Sequence, residues 1–117
     1  NMNEAGSRKI TEIKINTENL YREESFTDLN FATIRCLTPV KADGSPDVSR
    51  EPVFTGMTQL MSPNGPIPVT CLIEDAKTLA EAAAKLPDAI EKTVQDMIAK
   101  AKEEHRKETS GLIVPGQ

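Results

Sequence analysis

The chain has 117 residues, a net charge of −4 and 3% aromatic residues, with no tryptophan. This length predicts a single domain that can bury a core without disulfides or metals. The acidic balance and the shortage of aromatic side chains disfavour binding to nucleic acid and to anionic membrane surfaces. No segment approaches the roughly 18 consecutive apolar residues that a membrane helix needs.

The cysteine count and the N-terminal residues indicate the cellular compartment. Cys36 and Cys71 are too few for a disulfide framework. The first twenty residues contain no apolar run of the kind that a secretory signal needs. We therefore expect a cytoplasmic protein with reduced thiols. Residues 1–8 are predicted to be a disordered lead-in, and residues 9–117 a single α+β domain.

Alternation of apolar and polar residues predicts an antiparallel meander of three to four strands. The weakest candidate is Lys9 to Asn16, and Thr17 to Thr27 is interpreted as a polar connector. The clearest strand is Asp28 to Val40, which is apolar on both faces. Two further strands follow, Pro52 to Met61 and Ile67 to Glu74.

The residues between the last two predicted strands favour a tight reversal. Asn64 and Gly65 favour the positive φ angles that hairpin loops need. Pro66 and Pro68 cannot donate hydrogen bonds to a neighbouring strand, so the start of the last strand is predicted to lie at a sheet edge or to splay away from the sheet.

After Asp75 the apolar period changes to that of a helix. Thr78 and Glu81 have the spacing of a capping box. Pro87 predicts a break, because an interior proline removes a backbone hydrogen bond. We therefore predict two helices packed on one sheet face, a short one over about 78–85 and a long one over about 87–107. At 1.5 Å per residue the second would be roughly 30 Å long and would outrun the sheet.

No pattern of residues predicts a catalytic, cofactor-binding or metal site. The turn at Asp43 places oxygen ligands at alternate positions, but an EF-hand loop needs glycine and glutamate where this chain has Val48 and Phe54. Glycine motifs that bind phosphate are missing from the sequence. His105, the single histidine, is predicted to lie on a solvated helix end. We therefore assign no cofactor.

Two features predict self-association, most simply as a two-fold homodimer. A strand that is apolar on both faces leaves one face uncovered when the helices pack on the other, and uncovered apolar surface usually marks an interface. The long helix that outruns the sheet gives the same indication. The candidate interface residues are Leu29, Phe31, Arg35, Leu37, Met97, Ile98, Leu112 and Ile113.

Two classes of function remain open. The first is a non-catalytic cytoplasmic protein that acts through self-association and protein or ligand binding, for example a scaffold or a holdase-like chaperone. A meander followed by long helices is similar in element order, though in no motif, to the SecB-type chaperone fold. The second class is an enzyme or small-molecule-binding protein whose site is assembled at the subunit interface. For that class the candidates are Tyr21, Arg35, Cys36 and Cys71. A concave apolar cleft with convergent polar groups would favour it.

Overall fold

The computed structural model describes residues 9–113, with the side chains described as far as residue 109. These residues form a four-stranded antiparallel sheet in the order β1-β2-β3-β4, followed by helix α1. The predicted α+β class and meander are confirmed, and the predicted lead-in over residues 1–8 lies outside the described residues. The elements are a 3-10 turn (Ile10–Glu12), β1 (Leu20–Thr27), β2 (Ala32–Val40), β3 (Val53–Ser62), β4 (Gly65–Ile73) and α1 (Leu79–Ile113).

The first strand is not where the alternation predicts it. Residues 9–16 contain the 3-10 turn and irregular chain, with Ile13 and Ile15 exposed. Strand β1 lies instead in the segment that was interpreted as a connector. All its side chains are exposed except Leu20 and Tyr21, which are half-buried. Neither face therefore carries the apolar alternation by which a half-buried strand is recognised.

The loop between β1 and β2 shortens the second predicted strand. Asp28 Oδ1 accepts hydrogen bonds from the backbone N–H groups of Asn30 at 2.9 Å and Phe31 at 3.0 Å. Leu29 adopts a left-handed φ of 60°. These local bonds stabilise a loop over residues 28–31, so β2 begins at Ala32 rather than at Asp28.

The predicted reversal and the predicted edge position are both confirmed. Pro63 and Asn64 form a tight turn between the paired residues Ser62 and Gly65, and Gly65 has a φ of 111°. Strand β4, which follows this turn, is an edge strand.

The helix begins as the capping residues predict. The backbone N–H of Glu81 donates to Thr78 Oγ1 at 3.1 Å, and Glu81 Oε1 accepts from the N–H of Lys77 at 2.8 Å. The first bond satisfies a donor that the first turn would otherwise leave unpaired, and the second satisfies the N–H of the residue before the cap. The helix then continues without interruption to Ile113, so the prediction of two helices separated at Pro87 is wrong.

Packing explains why Pro87 does not end the helix. An interior proline destabilises a helix by about 3 kcal/mol, because it removes a hydrogen bond and crowds the preceding turn. Pro87 itself is exposed, whereas Leu86 and Ile90 are buried against the sheet. Burial of each such side chain contributes about 1.5–3 kcal/mol. Buried residues on either side of the proline therefore offset its cost.

The core lies between the first half of α1 and the sheet face that carries Ile34. Gly56 lies beneath Leu86, and a Cβ atom at this position would clash with the leucine side chain. The glycine therefore permits the close approach of helix and sheet. The buried core residues are Ile34, Phe54, Cys71, Ile73, Ala76, Ala82, Leu86 and Ile90.

Candidate interaction surfaces

Helix α1 crosses the sheet and then projects beyond it. Leu79 lines a hollow together with Cys36 of β2, Leu86 lies over Gly56 of β3, and Ala89 lines a second hollow with residues of β4. Every side chain from residue 95 to residue 109 is exposed. Residues 95–113, which we call the projecting segment, extend about 28 Å at 1.5 Å per residue.

The apolar stripe that packs on the sheet continues into the projecting segment. Ile90 and Val94 contact the core, and Met97 and Ile98 follow on the same side of the helix. Met97 is 41% exposed and Ile98 is 44% exposed. Most of the stability of a protein helix comes from packing of its apolar face, so a partner that covers this stripe would stabilise the segment.

A hollow of about 410 Å³ lies where α1 leaves the helix side of β1 and β2 uncovered. The sheet residues that line it are Phe26, Cys36, Thr38, Pro39 and Phe54. Leu79 lines it from the helix, and Val48 lines it from the β2–β3 loop. The charged side chains of Asp47, Arg50 and Lys77 also line it. We call it the apolar hollow, and its volume falls in the range of ordinary ligand pockets.

Arg50 joins the β2–β3 loop to the beginning of β1. Its Nε donates to Asp47 Oδ2 at 2.9 Å, and its Nη2 donates to the carbonyl oxygens of Leu20 and Val40, both at 2.9 Å. The guanidinium also lies 4.9 Å from the centroid of the Tyr21 ring. Sequence reasoning missed this residue, because a loop arginine carries no periodic signal.

Asp47 is held in its ionised form by the same cluster. The Ser49 hydroxyl donates to Asp47 Oδ1 at 2.6 Å, and its backbone N–H donates at 3.1 Å. These bonds, together with the ion pair to Arg50, lower the pKa of Asp47 to about 2. Because both charges are satisfied within the fold, the cluster is suited to fixing the loop rather than to acid–base chemistry.

The predicted interface residues on the sheet do not form one surface. Leu29 and Phe31 are exposed but lie in the β1–β2 loop. Leu37 is half-buried on the sheet face opposite α1. Arg35 lies on that same face, where its Nε is 3.5 Å from Glu23 Oε1. Leu29 and Phe31 therefore lie outside the strand that carries Leu37, and an interface role for these residues stays a prediction.

The predicted interface residues on the helix lie in the projecting segment. Met97 and Ile98 are exposed there. Leu112 and Ile113 are helical, but their side chains lie outside the described part of the structure. A role for these residues at an interface stays a prediction.

The four candidates for a catalytic site are not brought together. Tyr21 and Arg35 lie on the sheet face opposite α1, whereas Cys36 and Cys71 lie on the helix face. The two cysteines are free, and β3 separates their strands, which places their Cα atoms about 10 Å apart or more, beyond disulfide reach. Burial raises the pKa of the Cys71 thiol, which disfavours the reactive thiolate.

Other functional signatures are missing from the described residues. Over residues 9–113, no group of three His, Cys, Asp or Glu side chains could hold a metal ion. The helix that the structure describes lacks the long apolar stretch needed to span a membrane. His105 is exposed on the projecting segment. Comparisons with protein-family models, curated proteins and solved structures give no match.

Proposed function

We propose that this protein is non-catalytic and acts through self-association, with the projecting segment of α1 as an interface. The observation that supports the proposal is the exposed stripe at Met97 and Ile98, which continues the stripe that packs on the sheet. Two copies related by a two-fold axis would each cover the stripe of the other.

The position of this stripe supports an interface better than it supports a site for chemistry. Nearby polar groups on the helix are engaged with each other, as Lys92 is with Asp96 and Arg106 is with Glu103. These exposed pairs contribute little to stability, and they leave the apolar side free to pack. A long helix with one apolar side and one charged side is the usual form of a helix that pairs with another.

Light scattering coupled to size-exclusion chromatography tests the proposal. We expect the native chain to be an oligomer at tens of micromolar. Met97→Lys and Ile98→Lys should each lower the mass below that of the native oligomer, because a buried lysine would need a partner for its charge. Ala99→Lys, on the opposite side of the helix, is the matched control and should leave the mass unchanged. A native chain that is monomeric would contradict the proposal.

The apolar hollow favours a second candidate function, which is binding of a small apolar molecule. Its volume of about 410 Å³ and its mostly apolar lining fit a ligand site. Lys77 at its edge would suit a ligand with an anionic group.

Fluorescence of the anionic dye 1-anilinonaphthalene-8-sulfonate tests this second function. We expect saturable enhancement with the native chain and a marked loss with Val48→Asp. Val48 is 94% exposed, so this substitution should leave the fold intact. Met61→Asp alters a residue of comparable exposure away from the hollow and should not change the signal. Equal dye binding by all three chains would contradict a site in the hollow.

A further inference from the structure

We propose that strand β1 pairs with β1 of a second copy, antiparallel and with the two-fold axis at Glu23, so that two sheets join into one. This inference rests on the self-association proposed above and assigns it a second contact, separate from the projecting segment. It follows from three properties of β1, which are its free hydrogen-bonding groups, the registers that they permit and the charges that each register brings together.

The two edges of the sheet differ in their hydrogen-bonding groups. The two-residue turn makes Ser62 and Gly65 a hydrogen-bonded pair, and hydrogen-bonded pairs alternate with non-bonded ones along an antiparallel ladder. Pro66 and Pro68 therefore occupy positions whose N–H group would point to the free edge of β4. Because proline has no N–H, this edge lacks two of the donors that a further strand would need.

The edge of β1 retains its donors. The alternation between bonded and non-bonded pairs can be followed from the β3–β4 ladder through the β2–β3 ladder to the β1–β2 ladder. In β1, the N–H and C=O groups of the even-numbered residues then point toward β2. Tyr21, Glu23 and Ser25 therefore point their N–H and C=O groups outward. Strand β1 contains no proline, so these three residues offer an unbroken row of donors and acceptors.

Only some registers allow β1 to pair with itself. A residue whose backbone N–H and C=O groups point outward must lie opposite another such residue in the second copy. Near the middle of the strand, this condition allows the two-fold axis to pass through residue 22, 23 or 24. An axis at Arg22 would set two arginines directly opposite, and an axis at Glu24 would set two glutamates opposite. Both of these are close, non-bonded pairs in which like charges destabilise the ladder.

An axis at Glu23 makes the close pairs complementary. It sets Arg22 opposite Glu24 twice and Leu20 opposite Phe26 twice, all on the helix face of the joined sheet. Within residues 9–113, neither Arg22 nor Glu24 has an ion-pair partner in the single chain. Phe26 is 39% exposed in that chain. Pairing at this register would give each of these side chains a partner of suitable chemistry.

The two Glu23 side chains at the axis are the unfavourable element of this register. They form a hydrogen-bonded pair, in which the Cα atoms are about 5.5 Å apart rather than about 4.5 Å. Each carboxylate also lies beside Arg35 of its own chain, with Nε and Oε1 separated by 3.5 Å. The two arginines reduce the repulsion between the glutamates, so this register has the best charge balance of the three.

Charge reversal tests which side chains are opposite each other. Arg22→Glu should weaken association about tenfold or more, since it replaces two attractive pairs by two repulsive ones. Glu24→Arg should do the same. The double variant, Arg22→Glu with Glu24→Arg, should restore association because it reverses both partners. Sedimentation equilibrium on the full chain measures each constant, and a double variant no stronger than the single ones would overturn the register.

Proline substitution tests which edge is used. Ser25→Pro removes an outward N–H of β1 without removing a bond inside the chain, and it should abolish the contact. Thr70→Pro removes an outward N–H of β4 and is the matched control, which should leave association unchanged. Circular dichroism establishes that both variants retain the native fold. If Thr70→Pro disrupts association and Ser25→Pro does not, the assignment to β1 is overturned.

Cross-linking tests the axis directly and separates this inference from the proposed function. In a Cys36→Ser background, Glu23→Cys should form an intermolecular disulfide on mild oxidation. The reason is that the Cα atoms of residue 23 in the two copies would lie about 5.5 Å apart. Ser25→Cys should not, because the paired positions would be about 13 Å apart. A monomeric native chain contradicts both proposals. An oligomer that neither cross-links at residue 23 nor responds to Ser25→Pro overturns the β1 pairing alone and leaves association through α1 intact.

Discussion

Short polar side chains determine where the strands of this protein end. Asp28 holds the loop before β2, and Asp47 holds the loop before β3 through Ser49 and Arg50. Thr58, which is 4% exposed, donates its hydroxyl to the carbonyl oxygen of Phe31 at 2.8 Å. Such bonds depend on single side chains rather than on a repeating pattern, and for this reason the sequence predicts turns here but not their exact bounds.

The low pKa of Asp47 predicts a loss of stability in acid. Its folded-state pKa of about 2 lies below the ordinary value of an aspartate, 3.8. Its contribution is therefore fully present above about pH 4 and is lost as the pH falls toward 2. Asp47→Asn should lower the urea midpoint at pH 5 and flatten its dependence on pH between 4 and 2.

The control for this experiment is an exposed carboxylate outside the cluster. Asp96→Asn, on the projecting segment, should leave both the midpoint at pH 5 and the slope close to those of the native chain. An Asp47→Asn variant with the native acid dependence would show that other carboxylates carry the effect.

Leu29 provides a test of backbone strain. A non-glycine residue in the left-handed region destabilises the folded state by about 1–2 kcal/mol. Leu29 is 91% exposed, so burial of its side chain stabilises the fold very little. Leu29→Asn should raise the free energy of unfolding by about 0.5–1 kcal/mol in urea melts.

The comparison for Leu29 is Val48→Asn, an equally exposed site whose φ is not positive, where no gain is expected. If Leu29→Asn instead lowers stability only at concentrations where the chain associates, Leu29 lies in an interface, as its sequence context predicts.

The elements that sequence reasoning placed correctly are those with a strong local signal. Asn64 and Gly65 located the hairpin, and Thr78 with Glu81 located the start of the helix. Strand β1 could not be found in this way, because it lies beyond the reach of α1 and has no buried face. The predicted break at Pro87 is wrong, because packing of the helix against the sheet outweighs the local destabilisation that the proline causes.

Pro87→Ala tests whether the helix is continuous. In an uninterrupted helix, alanine restores a hydrogen bond and removes the crowding of the preceding turn, so unfolding should require about 1–3 kcal/mol more. At the first position of a separate helix, proline is favourable, and the same change would be neutral or destabilising. Urea denaturation followed by circular dichroism distinguishes the two outcomes. Asp88→Ala, at the next exposed position, controls for helix propensity alone.

At the scale of the whole molecule, the packed residues up to Val94 and the projecting segment are expected to behave differently in experiment. The described core ends at Ile90, with Val94 packed against it. A chain that stops after Val94 should therefore keep its sheet and unfold cooperatively, with a urea midpoint close to that of the full chain. It should have lost the association that depends on α1.

Measurement of this shortened chain needs both a spectrum and a mass. Circular dichroism should show reduced helix with the sheet retained, and light scattering should give a lower mass than that of the full chain. A shortened chain that is unfolded would mean that the projecting segment contributes to the fold of one subunit. The sequence predicts that the helix extends beyond the sheet, but no residue pattern predicts which surface packs against the projecting segment.

The prolines of β4 have a consequence for how many copies can assemble. A sheet with two open edges can add chains at both sides without limit and grow into a fibre. With Pro66 and Pro68 at one edge, a contact through β1 uses the remaining edge of each chain and then ends. Growth along the sheet therefore terminates at a pair. If α1 then joins such pairs, the stoichiometry rises in even steps, and an assembly of three copies would be incompatible with this arrangement.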